Sequence, residues 1–248
     1  MEGAGVLYNT YWIRFGRGRT TFEQAVENSR ILFEVAAGAG VERIVHFSVA
    51  NASSESRLPY FRGKGQVEEI LQGMGIPHAI IRPTLVFGEG DLLLNNMAWA
   101  LRRFPVFPVY GKGDYRVQPI YAEDLAAHAV AAGSLADSFV ADAAGPETFT
   151  FQELLRLLAG AVGACVRLVN TPAPLGFALT RLVGLLLRDV VLTRDEVDGL
   201  TAGLLSSDAE PTGTTKLGGW LADNADGLGR GYVSELRRNY PLARLLND

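Results

Sequence analysis

The first half of the chain alternates short apolar runs with amphipathic helical segments, and this alternation limits the possible folds more than any other feature. An apolar stretch around Val6 to Tyr8 comes first. From Thr21 to Ala37, Phe22, Ala25, Val26, Leu32, Phe33, Ala36 and Ala37 recur close to helical spacing, with Thr20 and Thr21 as a polar cap and Gly38 and Gly40 behind. The β-branched run Val41–Val49 follows, then the polar loop NASSESRLP, then a helix opened by Pro59 and ending near Gly73. Proline suits a first helical turn because its missing N–H would have no partner there. The apolar run His78–Thr84 closes the series. Strands separated by helices of this length predict a parallel sheet covered on both faces, because parallel strands need crossovers and the crossovers supply the cover.

Further along, YRVQPIY (Tyr115–Tyr121) reads as a strand, AEDLAAHAVAAG as a helix and FVADAAG as another strand. After Gly145 the pattern turns mostly helical. Thr150 with Glu153, and Thr193 with Glu196, fit the capping box, which starts helices near Phe151 and Arg194. These shifts divide the chain into 1–145, an α/β domain, and 146–248, a mostly helical lobe. The segment Phe87–Asp114, with its loop-like RFPVFPVYGKGD, is expected to sit spatially with the second lobe. The longest apolar stretch, Pro174–Leu192, is interrupted by Arg181, Arg188 and Asp189 and falls short of the roughly 20 uncharged residues of a spanning helix. It reads as a buried or lip-like amphipathic helix; the alternative is a face that docks on a membrane or a partner.

With 248 residues, 48% hydrophobic and 20% charged, the chain can build a substantial core, which excludes disordered and collagen-like classes. The net charge of −4 offers no basic excess, so nucleic acid is not an expected partner. Cys165 is the only cysteine and the N-terminal residues carry no secretory pattern, so a cytoplasmic location is expected, with membrane association as the alternative. His46, His78 and His128 stand singly beside apolar residues, and no metal site is expected.

Tyr60 and Lys64, in PYFRGK, are four apart at the start of a helix and so project from one face. A tyrosine titrates too high to exchange protons easily at neutral pH, and a nearby ammonium would favour its phenolate, making the pair a proton donor and acceptor for a carbonyl or alcohol. Ser48, at the carboxyl end of the preceding strand, could donate to the same substrate oxygen; ligands of open α/β sheets bind at that edge. A Tyr-x-x-x-Lys is expected by chance at a rate of about 0.1 in a chain with this few lysines. Only Lys64, Lys112 and Lys216 among 23 basic residues are lysine, so a merely solvated cation at 64 would more naturally be arginine. The competing reading packs Tyr60 against the loop and leaves Lys64 solvated.

Ser48, Tyr60 and Lys64, together with HAIIRPT running into LVFGEGD and the later QPIYAEDLA, resemble the extended or atypical short-chain dehydrogenase/reductase superfamily. YNTYWIRFGRGRTTFEQAVENSR, PYFRGKGQVEE, NNMAWALRRFPVFPVYGKGDYRVQPIYAEDLA and EPTGTTKLGGWLADNADGLGRGYVSELRR are similar to its NAD(P)H-binding, epimerase-like branch, related to the nucleotide-binding accessory subunit of respiratory complex I. The resemblance runs from Val6 to Arg238. It implies a Rossmann-type, doubly wound parallel sheet with a smaller helical lobe, NAD or NADP as cofactor, and a small carbonyl or alcohol as substrate. Carried over by position, Tyr60 would be the general acid/base, Lys64 would lower its pKa and hold the nicotinamide ribose, and Ser48 would polarise the substrate oxygen. Arg82, Pro83 and Thr84 would border the nicotinamide, and Tyr8, Asn9 and Thr10 would pass beside the cofactor. Asp124 would support the two-lobe architecture. Arg82-Pro83 read equally well as a strand terminus, and Asn9-Thr10 as a turn.

The sequence departs from the family at its beginning. No strand, Gly-x-x-Gly-x-x-Gly turn and helix is present to receive a pyrophosphate; Gly3-Ala4-Gly5 and Gly16-Arg17-Gly18 have the wrong spacing or setting. The expected sheet therefore lacks its first βαβαβ half, which puts dinucleotide binding by these residues in doubt and leaves NAD and NADP undistinguished. Three readings stay open: part of an NAD(P)-linked oxidoreductase or epimerase, a non-catalytic binding or assembly protein with respiratory-complex or peripheral membrane contacts, and a decayed remnant.

Overall fold

A computed structural model describes residue 1 and residues 3–240. In chain order the elements of the first part are β1 (Val6–Asn9), α1 (Phe22–Gly38), β2 (Arg43–Phe47), α2 (Pro59–Gly73), β3 (His78–Pro83), β4 (Leu85–Phe87), α3 (Leu92–Arg103), β5 (Val106–Tyr110), β6 (Arg116–Val117), β7 (Pro119–Tyr121), α4 (Ala122–Gly133) and β8 (Phe139–Ala143). They are followed by β9 (Phe149–Thr150), α5 (Phe151–Ala161), β10 (Arg167–Thr171), α6 (Ala173–Leu187), α7 (Arg194–Thr201), α8 (Leu217–Asn224) and α9 (Glu235–Asn239).

The main sheet has the order β1-β2-β3-β8, and every neighbouring pair is parallel. The chain is thus α/β with a parallel sheet, as the alternation predicts. Its two faces follow the two-residue period of a strand. Ile44 and Ile80 face α1 and α2, where they join Phe33, Ala36, Val67 and Leu71. Val45, Ala79 and Ile81 face α4 and meet Leu125, Ala129 and Ala132. Arg43 is buried on the α4 side, and its guanidinium donates to the carbonyls of Ala132 and Asp137, capping the end of α4.

A second cluster holds α3, β5, α5 and α8 around Phe87, Leu94, Leu101, Leu154, Leu155, Leu158, Leu217 and Leu221. It draws residues from both sides of position 145, and the 87–114 segment packs there. Both capping boxes form, at Thr150 with Glu153 and at Thr193 with Glu196. Asp124 links the two clusters: its carboxylate accepts from the backbone N–H groups of Thr214 and Thr215, each at 2.7 Å.

Three local expectations need correction. RFPVFPVYGKGD is not a loop, since Val106–Tyr110 pairs in parallel with β10. Pro108 fits because this is a two-stranded sheet, in which a missing N–H can face away from the partner. YRVQPIY is not one strand; it breaks at Gln118, whose backbone N–H donates to Leu205 and whose side chain donates to the Gly145 carbonyl. Finally, α6 is not a buried helix: of its residues only Gly176 and Gly184 are buried.

Candidate functional site

The carboxyl ends of β2 and β3 lie against the inner face of α2, where Phe61, Lys64, Val67, Glu68 and Leu71 are buried at helical spacing. Lys64 is 3% exposed. Its Nζ donates to the Phe47 carbonyl at 2.6 Å and lies 4.8 Å from the centre of the Trp12 ring. Two glycines make this enclosure possible. A Cβ at Gly63 would come within 2.9 Å of the Trp12 ring, and one at Gly65 within 2.3 Å of the Ser53–Ser54 backbone. Burial pulls the Lys64 pKa down to about 7, with Glu68 opposing the fall.

Glu68 is the collecting point of the site. It accepts from Ser48 Oγ, and its carboxylate is forked by Arg82, with Nε at 2.9 and 3.2 Å from the two oxygens and Nη2 on Oε2. These charge-assisted bonds hold the Arg82 pKa up. The structure therefore brings Ser48, Lys64 and Arg82 together around a residue that sequence reasoning missed. Glu68 is four residues after Lys64 on the same helical stripe as Val67 and Leu71. A carboxylate on the apolar face was the available signal.

Tyr60 has different company. Its ring meets Trp12, Phe22 and Phe61 with centroids 6.2, 6.1 and 5.6 Å away, and its hydroxyl has no hydrogen-bond partner among the described residues. Burial first, and then Glu196, push its pKa up to about 12, against the pull of Arg14. The expected lowering by Lys64 is absent because the ammonium turns to the Phe47 carbonyl and Trp12. Tyr60 packs against Trp12 of the 10–21 loop, and Lys64 is enclosed rather than solvated. Trp12, also missed, stands between the two.

The residues expected along a cofactor are engaged or turned away. Tyr8 is 42% exposed, and a Cβ at Gly133 of α4 would meet its hydroxyl, so the ring lies on the side of the sheet opposite α2. Asn9 is buried, 2.9 Å from His46 Nδ1, and accepts from the Tyr11 N–H in a turn. Thr10 is exposed. Pro83 ends β3, its carbonyl accepting from Ala50, and Thr84 donates to the Gln118 carbonyl at 2.5 Å. His46 stays neutral, its pKa held well below 6.5 by burial and then by Lys64. Thr21 caps α1 through the Gln24 N–H, so that helix start is filled by its own side chain.

NAD or NADP is the group the resemblance implies, and these residues do not fit it. Lys64 already spends its ammonium on Phe47 and Trp12, Arg82 and Ser48 are held by Glu68, and Thr84 is held by Gln118. Two surface hollows lie elsewhere, one lined by Glu23, Arg30, Gln66 and Glu69, the other by Arg102, Phe104 and Cys165.

Comparison with known proteins places this geometry in context. No family model matches the chain. The mitochondrial NADH dehydrogenase [ubiquinone] 1 alpha subcomplex subunit 9 of Arabidopsis thaliana is 27% identical over 226 residues, covering 84% of this chain and 55% of that protein. The chain thus spans about half the length of that curated relative. Among solved structures, a nucleoside-diphosphate-sugar epimerase from Staphylococcus aureus superposes with a TM-score of 0.68 at 14% identity, covering 89% of this chain and 77% of that one. MoeE5, solved with UDP-glucose and NAD, gives 0.59 at 19% identity, covering 71% and 68%. At these identities the structures report the fold.

Proposed function

We propose that this chain, which has the fold of nucleoside-diphosphate-sugar epimerases and is similar in sequence to subunit 9 of the NADH dehydrogenase alpha subcomplex, is a non-catalytic assembly component. In this reading the α/β scaffold survives as a rigid body for binding other proteins, with complex I-type subunits as the partner class. The observation that carries it is the commitment of Lys64. A lysine meant to lower the Tyr60 pKa and hold a ribose must keep its ammonium available, whereas this one is closed under Trp12 on the Phe47 carbonyl. Glu68 has likewise taken Ser48, the proposed substrate-polarising hydroxyl. A mitochondrial location accompanies this reading, because the named relative is mitochondrial.

One observation favours a second reading, an NAD(P)-dependent oxidoreductase or epimerase acting through Ser48, Tyr60 and Lys64 on a small carbonyl or alcohol. The Tyr60 hydroxyl has no partner among the described residues, so its donor is not spent within the chain as that of Ser48 is. Incubating the purified chain with NADH or NADPH and a panel of quinones, ketones and nucleotide sugars separates the two. Assembly function predicts no turnover above that of a Tyr60→Phe variant. Turnover that Tyr60→Phe abolishes would establish the enzyme.

A further inference from the structure

The helix α6 is built inside out. Its inward stripe carries two glycines and a threonine beside the half-buried Leu187: a Cβ at Gly176 would meet the Tyr110 ring at 2.8 Å, Thr180 Oγ1 lies 2.5 Å from the Tyr110 hydroxyl, and a Cβ at Gly184 would meet the Asp189 carbonyl at 2.8 Å. Its outward stripe is leucine. Leu175, Leu179, Leu182, Leu185 and Leu186 are 55, 43, 56, 74 and 78% exposed. They fall at i, i+4, i+7, i+10 and i+11, a single continuous face. A helix held only by its own fold would turn leucines inward and glycines out. A contiguous apolar face of this kind marks a surface that something else covers.

The charges around the face select what covers it. Arg181 and Arg188 are exposed beside the leucine stripe and form no ion pair among the described residues. No acidic residue occurs in α6. Asp189, just beyond its end, is turned inward and accepts from the Tyr232 hydroxyl and the Glu235 N–H. On neighbouring α7, Glu196 pairs with Arg14 and Asp198 with Arg194. The exposed charges of α6 itself are therefore all cationic, on a chain whose net charge is −4, and Asp195 on α7 is the nearby carboxylate without an ion pair among the described residues. Two copies joined face to face about a two-fold axis would bring these unpaired guanidiniums together, which disfavours a second copy. A 15-residue helix extends only about 22 Å, against about 30 Å of hydrocarbon, so it can lie in a bilayer surface but not cross one.

We infer that α6 is a membrane-surface anchor, its five leucines entering the boundary between headgroups and acyl chains and Arg181 and Arg188 resting on anionic lipid phosphates. The inference stands on α6 alone and holds whichever function the α/β part performs. The test is flotation of the full chain with phosphatidylcholine vesicles, with and without phosphatidylglycerol. The wild-type chain floats with the anionic vesicles, and more weakly at high salt. Leu182→Gln/Leu185→Gln/Leu186→Gln, with an unchanged thermal transition, stays at the bottom. Arg181→Gln/Arg188→Gln binds about 30-fold more weakly, the loss of two guanidinium contacts with an anionic surface. Two results would overturn the inference: a wild-type chain that ignores anionic vesicles, or equal flotation of the leucine variant. A concentration-dependent dimer that the leucine substitutions dissociate, with no vesicle binding, would assign the face to a second copy instead.

Discussion

The polar nest under α2 and the leucine face of α6 invert the usual distribution of residues in opposite ways. Under α2, Lys64, Glu68 and Ser48 are buried where apolar side chains are expected; on α6, five leucines are exposed where polar ones are expected. Every charged group of the nest has a partner within the chain, and only the buried Trp12 Nε1 and His46 Nε2 beside it lack one among the described residues. The leucine face has none. An anomaly that the fold satisfies internally is part of the scaffold, while one it leaves open points outward to a partner. The contrast explains why the residues that most resemble an active site are here the least available ones.

The largest effect is expected from breaking the nest. Glu68→Ala leaves Arg82 and Ser48 without their acceptor and should cost about 3 kcal/mol of stability, the range seen when one member of a buried pair is removed. Denaturant titration measures it. A loss well under about 1 kcal/mol, as for exposed pairs, would mean that solvent reaches the nest and the comparison fails.

The next effect is pH dependence. Lys64 titrates near 7 in the folded chain and at the ordinary lysine value of 10.5 when unfolded. Between these values the unfolded chain holds a proton that the folded chain has released, so stability rises with pH across that window. Above about pH 10 the rise is opposed, because burial keeps the phenol of Tyr60 protonated in the folded chain after the unfolded one has ionised. A thermal-melt series from pH 7 to 10 should therefore climb, and Lys64→Met should flatten it. The same slope in both proteins would show that Lys64 is not the group concerned.

The smallest effect belongs to α6. Replacing Leu182, Leu185 and Leu186 by glutamine should change stability by less than about 0.5 kcal/mol per residue, as for other surface sites. A large loss would place those leucines in the core and remove the contrast with the nest.

Much of the fold was legible from period and punctuation. The extents of α1 and α2 and both capping boxes follow from local spacing, cap residues and proline, which act within a few residues of themselves. The break at Gln118 was not legible, because it depends on partners at Gly145 and Leu205 far along the chain. Neither was β5, where Pro108 within the strand and Pro105 just before it suggest a loop until β10 supplies a neighbour. In the site, spacing placed Tyr60 and Lys64 on one helix but could not say where the ammonium turns. That depends on Trp12, brought in by a loop, on Gly63, which lets its ring approach, and on Gly65, which lets the Ser53–Ser54 backbone approach. For α6, composition exposed the apolar stretch, but only the contacts of Gly176 and Gly184 reveal which stripe faces in.

The central claim is that Lys64 serves the fold and not Tyr60, and titration of Tyr60 tests it most directly. Following the Tyr60 phenol by ultraviolet difference or NMR titration, in the wild-type chain and in Lys64→Met, should give a pKa near 12 in both. A wild-type value below 10 that rises when Lys64 is removed would contradict the account and restore the pair as an acid/base site.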